Sequence, residues 1–128
     1  LHFVTLDDLH RCERHTRRGG KAVVVGGGLI GVELVECLVH HGMQVTFLVR
    51  EPWYWPAALG GEEGRMISDH IRSHGVNLLL EESVQKVESS DEGRVQAAIA
   101  ESGQRFECEF LGVTAGVKPA IAWLGRTK

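Results

Sequence analysis

Glycines at 26, 28 and 31 separate two apolar patterns that belong to different kinds of secondary structure. Before them, Ala22-Val23-Val24-Val25 is a run without a polar face, as expected of a strand buried on both sides. After them, Leu29, Ile30, Leu34, Val35, Leu38 and Val39 recur at helical spacing. A strand that turns into a helix through G-x-G-x-x-G opens a βαβ unit, the context in which the motif points to dinucleotide binding. The spacing also has a chemical meaning. Gly26 permits the tight turn, Gly28 leaves the main chain bare to an approaching pyrophosphate, and Gly31 lets helix and strand pack closely. Unpaired N–H groups and the positive end of the helix dipole then face one point. The pattern predicts dinucleotide binding; the plainer alternative is a glycine-rich turn with no ligand.

The rest of the chain extends this start. The predicted elements are a strand over 21–25, a helix over 29–41 closing at Gly42, and a second buried strand over Val45 to Val49. A Trp53-Tyr54-Trp55-Pro56 loop follows, read most simply as a plug over the local core; covering an adenine or meeting a neighbouring domain are the alternatives. Glu62 to His74 reads as a helix and Val76 to Leu80 as a third strand. Right-handed crossovers make this βαβαβ order a parallel sheet. Then the pattern changes. Val84 to Glu88, Arg94 to Ala100 and Gln104 to Phe110 alternate in part and are separated by turn residues, which predicts a three-stranded antiparallel meander. Leu111 to Ala115 is a closing apolar strand, and Pro119 opens a short helix carrying Ile121, Trp123 and Leu124. Thr5-Leu6-Asp7-Asp8 starts a lead-in helix. The expected fold class is α/β: a Rossmann-like βαβαβ parallel sheet, an antiparallel meander and a closing parallel strand. Residues 1–20 are the connector, 21–124 the nucleotide-binding domain and 125–128 a tail.

Composition bounds the function. The chain has 128 residues, enough for one domain with a real core. A net charge of −3 with 24% charged residues gives no nucleic-acid footprint. No apolar stretch approaches the roughly 20 residues that span a bilayer, so no membrane partner is expected. Cys12, Cys37 and Cys108 lie far apart and suit a reducing, cytoplasmic setting. A start at Leu1 rather than Met suggests an excised piece of a longer protein. His70 and His74 stand at i and i+4, a spacing that suits zinc, but no third ligand is evident and a solvated helix face is the simpler reading.

The run Gly26-Gly27-Gly28-Leu29-Ile30-Gly31-Val32-Glu33, the meander, and the closing Val113-Thr114-Ala115-Gly116-Val117-Lys118-Pro119 together resemble the pyridine nucleotide-disulfide oxidoreductase superfamily, along nearly the whole chain. Thr5 to Arg14 resembles the connector through which that family's chain leaves its flavin domain. The resemblance implies an NAD(P)H-binding domain inserted in a discontinuous FAD-binding domain, with FAD held mainly outside this chain. It also implies a parent that passes hydride to flavin, a flavin domain of the same parent as partner, and room for a homodimer of that parent. This chain alone would be inactive. By position, Gly26, Gly28, Gly31 and the N–H groups of Leu29 and Ile30 would hold the pyrophosphate. Glu33 would lie near the nicotinamide; the alternative is a first-turn acid favoured by the helix dipole. Gly116 would border the cofactor crevice, unless it is a plain strand-ending glycine.

NAD or NADP stays open at this point. The end of the second strand meets the adenosine ribose, where an acid accepts from the 2′-hydroxyl and an arginine neutralises a 2′-phosphate. The acid is missing at Val49; Arg50 follows and favours NADP, whereas Glu51 could turn back toward the ribose. Two other classes use similar turns: a non-catalytic NAD(P)-sensing module, and an S-adenosylmethionine-binding methyltransferase, against which the meander and the Gly116-to-Pro119 ending argue.

Overall fold

A computed structural model describes residues 5–117 and 121. Its elements in chain order are α1 (Leu6–His15), β1 (Lys21–Val25), α2 (Leu29–His40), β2 (Gln44–Val49), α3 (Gly61–Ser73), β3 (Asn77–Leu80), β4 (Val84–Ser89), β5 (Val95–Ala100), β6 (Arg105–Glu107) and β7 (Phe110–Val113). The expected helix from Pro119, with Trp123 and Leu124, and the tail 125–128 lie outside the described residues.

Four strands form a parallel sheet in the order β3-β2-β1-β7, and β4-β5-β6 form an antiparallel sheet. Side chains of β1 and β2 alternate between the two faces, and each face meets a different partner. Ala22, Val24, Val45, Phe47 and Val49 join Val35 and Leu38 of α2 and Ile71 of α3 in one core. Val23 and Leu48 point the other way, against Ala98, Ala100, Phe106 and Cys108. The molecule is therefore three layers: helices, parallel sheet, meander. This explains why β1 and β2 read as unbroken apolar runs, since neither face meets water.

The fold corrects the reading at both ends of the closing strand. The sequence puts Gln104 to Phe110 in a single meander strand, but the chain changes sheets inside it. Cys108 still donates its N–H to Gln96 of β5, at 3.0 Å, whereas Glu109 donates to Lys21 of β1, at 2.9 Å. Phe110 then pairs in register with Ala22. Alternation cannot mark this step, because both sheets require period two and the run never breaks it. At its other end the closing strand stops at Val113 rather than Ala115.

Local chemistry sets the helix ends. Thr5 and Asp8 form a reciprocal capping box at the start of α1. Gly42, at φ +84°, follows the end of α2. Burial pushes the Cys108 thiol up to about 11, so it packs as a small apolar group rather than a thiolate.

Candidate nucleotide site at the carboxyl ends of β1 and β7

β1 runs to β2 on one side through α2, and pairs with β7 on the other. The strand order thus reverses between β1 and β7, and in open α/β sheets a crevice for ligands lies beyond the carboxyl ends at such a point. Two segments meet there: the turn from Gly26 to Gly28, and residues Thr114 to Gly116 after β7.

Gly26 holds the turn at φ +112°, a left-handed value, while its N–H donates to Leu48 at 3.0 Å. A Cβ there would stand 2.6 Å from the carbonyl oxygen of Thr114. Gly31 is needed for a different reason: its Cβ would overlap the carbonyl oxygen of Gly26, so α2 can lie this close only without a side chain. Gly28 is unlike both. Its backbone is extended (φ −95°, ψ −175°), and a Cβ built on it meets nothing within 4 Å. The folded chain makes no demand for glycine at 28.

Gly28 is the N-cap of α2 and offers no side-chain cap. Its carbonyl accepts from Val32, at 3.2 Å, closing the first helical turn. Among the described residues no acceptor takes the N–H of Leu29 or Ile30. Both side chains are about half exposed, which puts this end of the helix at the surface. Free amides and the positive dipole end are the physical requirements for binding an anion.

Thr114 is a residue that sequence reasoning did not single out. Its N–H donates to Val25 at 2.8 Å, continuing the ladder past β7, and its hydroxyl lies 2.8 Å from the same carbonyl and 3.1 Å from that of Gly26. One side chain thus braces the glycine turn from the neighbouring strand. A threonine directly after a strand parallel to β1 was the available signal. Gly116, at φ +130°, is exposed two residues further on.

The adenosine-side candidates come from β2. Val49 is fully buried, facing the helices, and lies beneath the turn; a Cβ on Gly27 would stand 2.6 Å from its Cγ1. Its side chain is core, so the first residues to leave the strand end for solvent are Arg50 and Glu51. They bond to each other: Nε of Arg50 donates to Oε1 of Glu51 at 2.9 Å. That bond, and then the charge of Glu51, raise the arginine above its ordinary value. Glu33, the remaining candidate, is exposed on the second turn of α2.

The Trp53–Trp55 loop is a plug, with one polar contact to the site. Tyr54 is 4% exposed within the helix-side core, and its N–H donates to the Ser68 hydroxyl at 3.2 Å. Its own hydroxyl points at the Gly28 carbonyl oxygen, 3.5 Å away. Glu33 acts on the same hydroxyl: burial first, and then this carboxylate, hold the phenol above its ordinary range. His70 and His74 pack edge to face at 4.5 Å, with Nδ1 of His74 hydrogen-bonded to the His70 carbonyl at 2.9 Å.

The architecture is that of a dinucleotide-type α/β domain with a glycine turn at its switch point. Comparison with known proteins makes the class specific. The chain belongs to the pyridine nucleotide-disulphide oxidoreductase family, whose model matches residues 1–128. Among its relatives, nitrite reductase [NAD(P)H] of Emericella nidulans is 29% identical over 121 residues, covering 91% of this chain and 11% of that protein. NADH oxidase of Enterococcus faecalis is 35% identical over 99 residues, covering 77% of this chain and 22% of its own length. A chain of the covalent putidaredoxin reductase–putidaredoxin complex superposes with a TM-score of 0.87 at 24% identity, covering 95% of this chain and 30% of that one. The chain therefore spans between about a tenth and a third of these relatives. No helix among the described residues is long and apolar enough to cross a membrane.

Proposed function

We propose that this chain binds NAD(H) or NADP(H) by its pyrophosphate and presents the nicotinamide to a flavin held elsewhere in a longer parent oxidoreductase. The observation that carries the reading is the space at Gly28. A side chain would fit there as far as the protein is concerned, yet the position fronts two unbonded amides at a helix N-terminus. A diphosphate accounts for both facts, because it needs the amides and would collide with a Cβ. Gly26, Gly31 and Thr114 hold the turn, Leu29 and Ile30 supply donors, Glu33 lies near the nicotinamide end, and Gly116 borders the cofactor crevice. Arg50 and Glu51 meet the adenosine ribose. Residues 21–124 are then the nucleotide domain, 1–20 the connector and 125–128 a tail.

The nucleotide supplies hydride chemistry when bound; the chain's own contribution is position. Family membership turns the reading away from S-adenosylmethionine chemistry. The test is calorimetric titration of the chain with NADH, NADPH and S-adenosylmethionine. Saturable binding of a pyridine nucleotide alone supports the assignment. No heat with either nucleotide at millimolar concentration, or tighter binding of the methyl donor, overturns it.

A further inference from the structure

We infer that Tyr54 is a positioning residue for the pyrophosphate: by holding the Gly28 carbonyl inward, its hydroxyl turns the Leu29 N–H outward, toward the ligand. The inference rests on the nucleotide reading above and adds a residue to it from a different loop. The physical basis is the planarity of the peptide. In the trans Gly28–Leu29 unit the C=O and N–H point in opposite directions, so a group that fixes one fixes the other. Two donors converge on that carbonyl: Val32 N–H at 3.2 Å, from within the helix, and the Tyr54 hydroxyl at 3.5 Å, from the loop after β2. Val32 sets only the helical direction; Tyr54 approaches from outside the helix and resists rotation of the peptide plane.

Tyr54 is itself held. Its backbone is tied to Ser68, whose hydroxyl donates to the Gly64 carbonyl at 2.7 Å, and its ring is buried in the core. Beside it, Trp53 crosses α3 at Gly64, where a Cβ would overlap its ring. A phenol kept protonated by burial and by Glu33 can only donate to a carbonyl, which fits the role. The separation of 3.5 Å is long for such a bond, so the contact has room to shorten when an anion draws the amides outward.

The experiment uses the fact that the chain has one tyrosine. Tyr54→Phe keeps the buried ring and removes only the donor. NADH affinity is expected to fall about fivefold, and the change in the Leu29 amide resonance at saturating NADH to shrink. Thermal unfolding is followed alongside. A merely structural role would lower the unfolding temperature and leave the saturated Leu29 resonance unchanged. As a second route that preserves the fold, 3-fluorotyrosine at position 54 should show its fluorine resonance shifting as NADH is added. Equal affinity in Tyr54→Phe with an unaltered Leu29 response, or a fluorine resonance blind to NADH, overturns the role of Tyr54 alone. Wild-type protein that binds no nucleotide removes the assignment of the site as well.

Discussion

Arg50 and Glu51, neighbours in sequence, neutralise one another: Nε of the arginine sits 2.9 Å from Oε1 of the glutamate. The arginine side chain is 82% exposed, so water and salt weaken the pair and a 2′-phosphate can compete for it. On the proposed reading of the site, Glu51 would restrain an NADP preference that Arg50 would otherwise confer. Glu51→Gln is expected to raise the NADPH-to-NADH affinity ratio by up to about fivefold, and Arg50→Ala to lower it. Paired titrations at low and physiological salt check both. Parallel losses for the two nucleotides in Arg50→Ala would remove Arg50 from the 2′-position.

The glycines at 28 and 31 should fail in opposite ways. Gly28→Val enters empty space and costs only a weaker cap, on the order of 1 kcal/mol, yet it should abolish nucleotide binding. Gly31→Ala drives a methyl group into the Gly26 carbonyl and onto the Thr114 hydroxyl, 2.9 Å away, and should destabilise the fold by about 1–3 kcal/mol or more. Urea unfolding together with nucleotide titration separates the two outcomes. Unchanged affinity in Gly28→Val would displace the proposed site.

Thr114→Val keeps the shape and deletes the hydroxyl that braces Val25 and Gly26. The expected loss is about 1 kcal/mol, the ordinary net worth of such a bond. Hydrogen exchange localises it: amides of the glycine turn should exchange faster, while those of the meander keep their wild-type rates.

Acid should weaken the chain through Glu82. This carboxylate is nearly buried and bridges two turns, with Oε1 accepting from Ser83 at 3.2 Å and from Ser102 at 3.4 Å. The Ser102 side chain, with these amides and that of Glu101, holds it below the ordinary glutamate range. A depressed folded value means the unfolded chain takes up the proton first. The stabilisation is thus complete above the unfolded value, about 4.3, and is lost as pH falls through the lower folded one. Glu82→Gln should be less stable at pH 7 and show a shallower loss between pH 6 and pH 3, measured by denaturant titration at each pH.

Much of this fold could be read from local periodicity. The β1–turn–α2 unit stands out because hydrophobicity changes from an unbroken run to a helical repeat across three glycines. Strands β2 and β3 follow the same logic. What local pattern could not supply was which surface each strand pairs with. Phe106, Cys108 and Phe110 alternate evenly with charged residues, and nothing in that rhythm marks the change of sheet between Cys108 and Glu109. The site divides in the same way. The left-handed turn at Gly26 and the close approach of Gly31 to the Gly26 carbonyl are local and were legible, whereas the Thr114 carbonyl that crowds Gly26 comes from far along the chain. Tyr54 meets Gly28 from 26 residues away, and its loop was readable as a plug but not as a contact to the turn.

Thr114 and Val25, bonded to each other, lie 89 residues apart along the chain. Closing a contact that spans so much sequence costs chain entropy that pairing between adjacent strands does not. A ribosome can extrude the meander and let it pair with itself while β7 is still in the exit tunnel. The strand that carries Thr114 follows the meander in synthesis, so a product cut short before Phe110 would carry every glycine of the turn without the threonine that braces it.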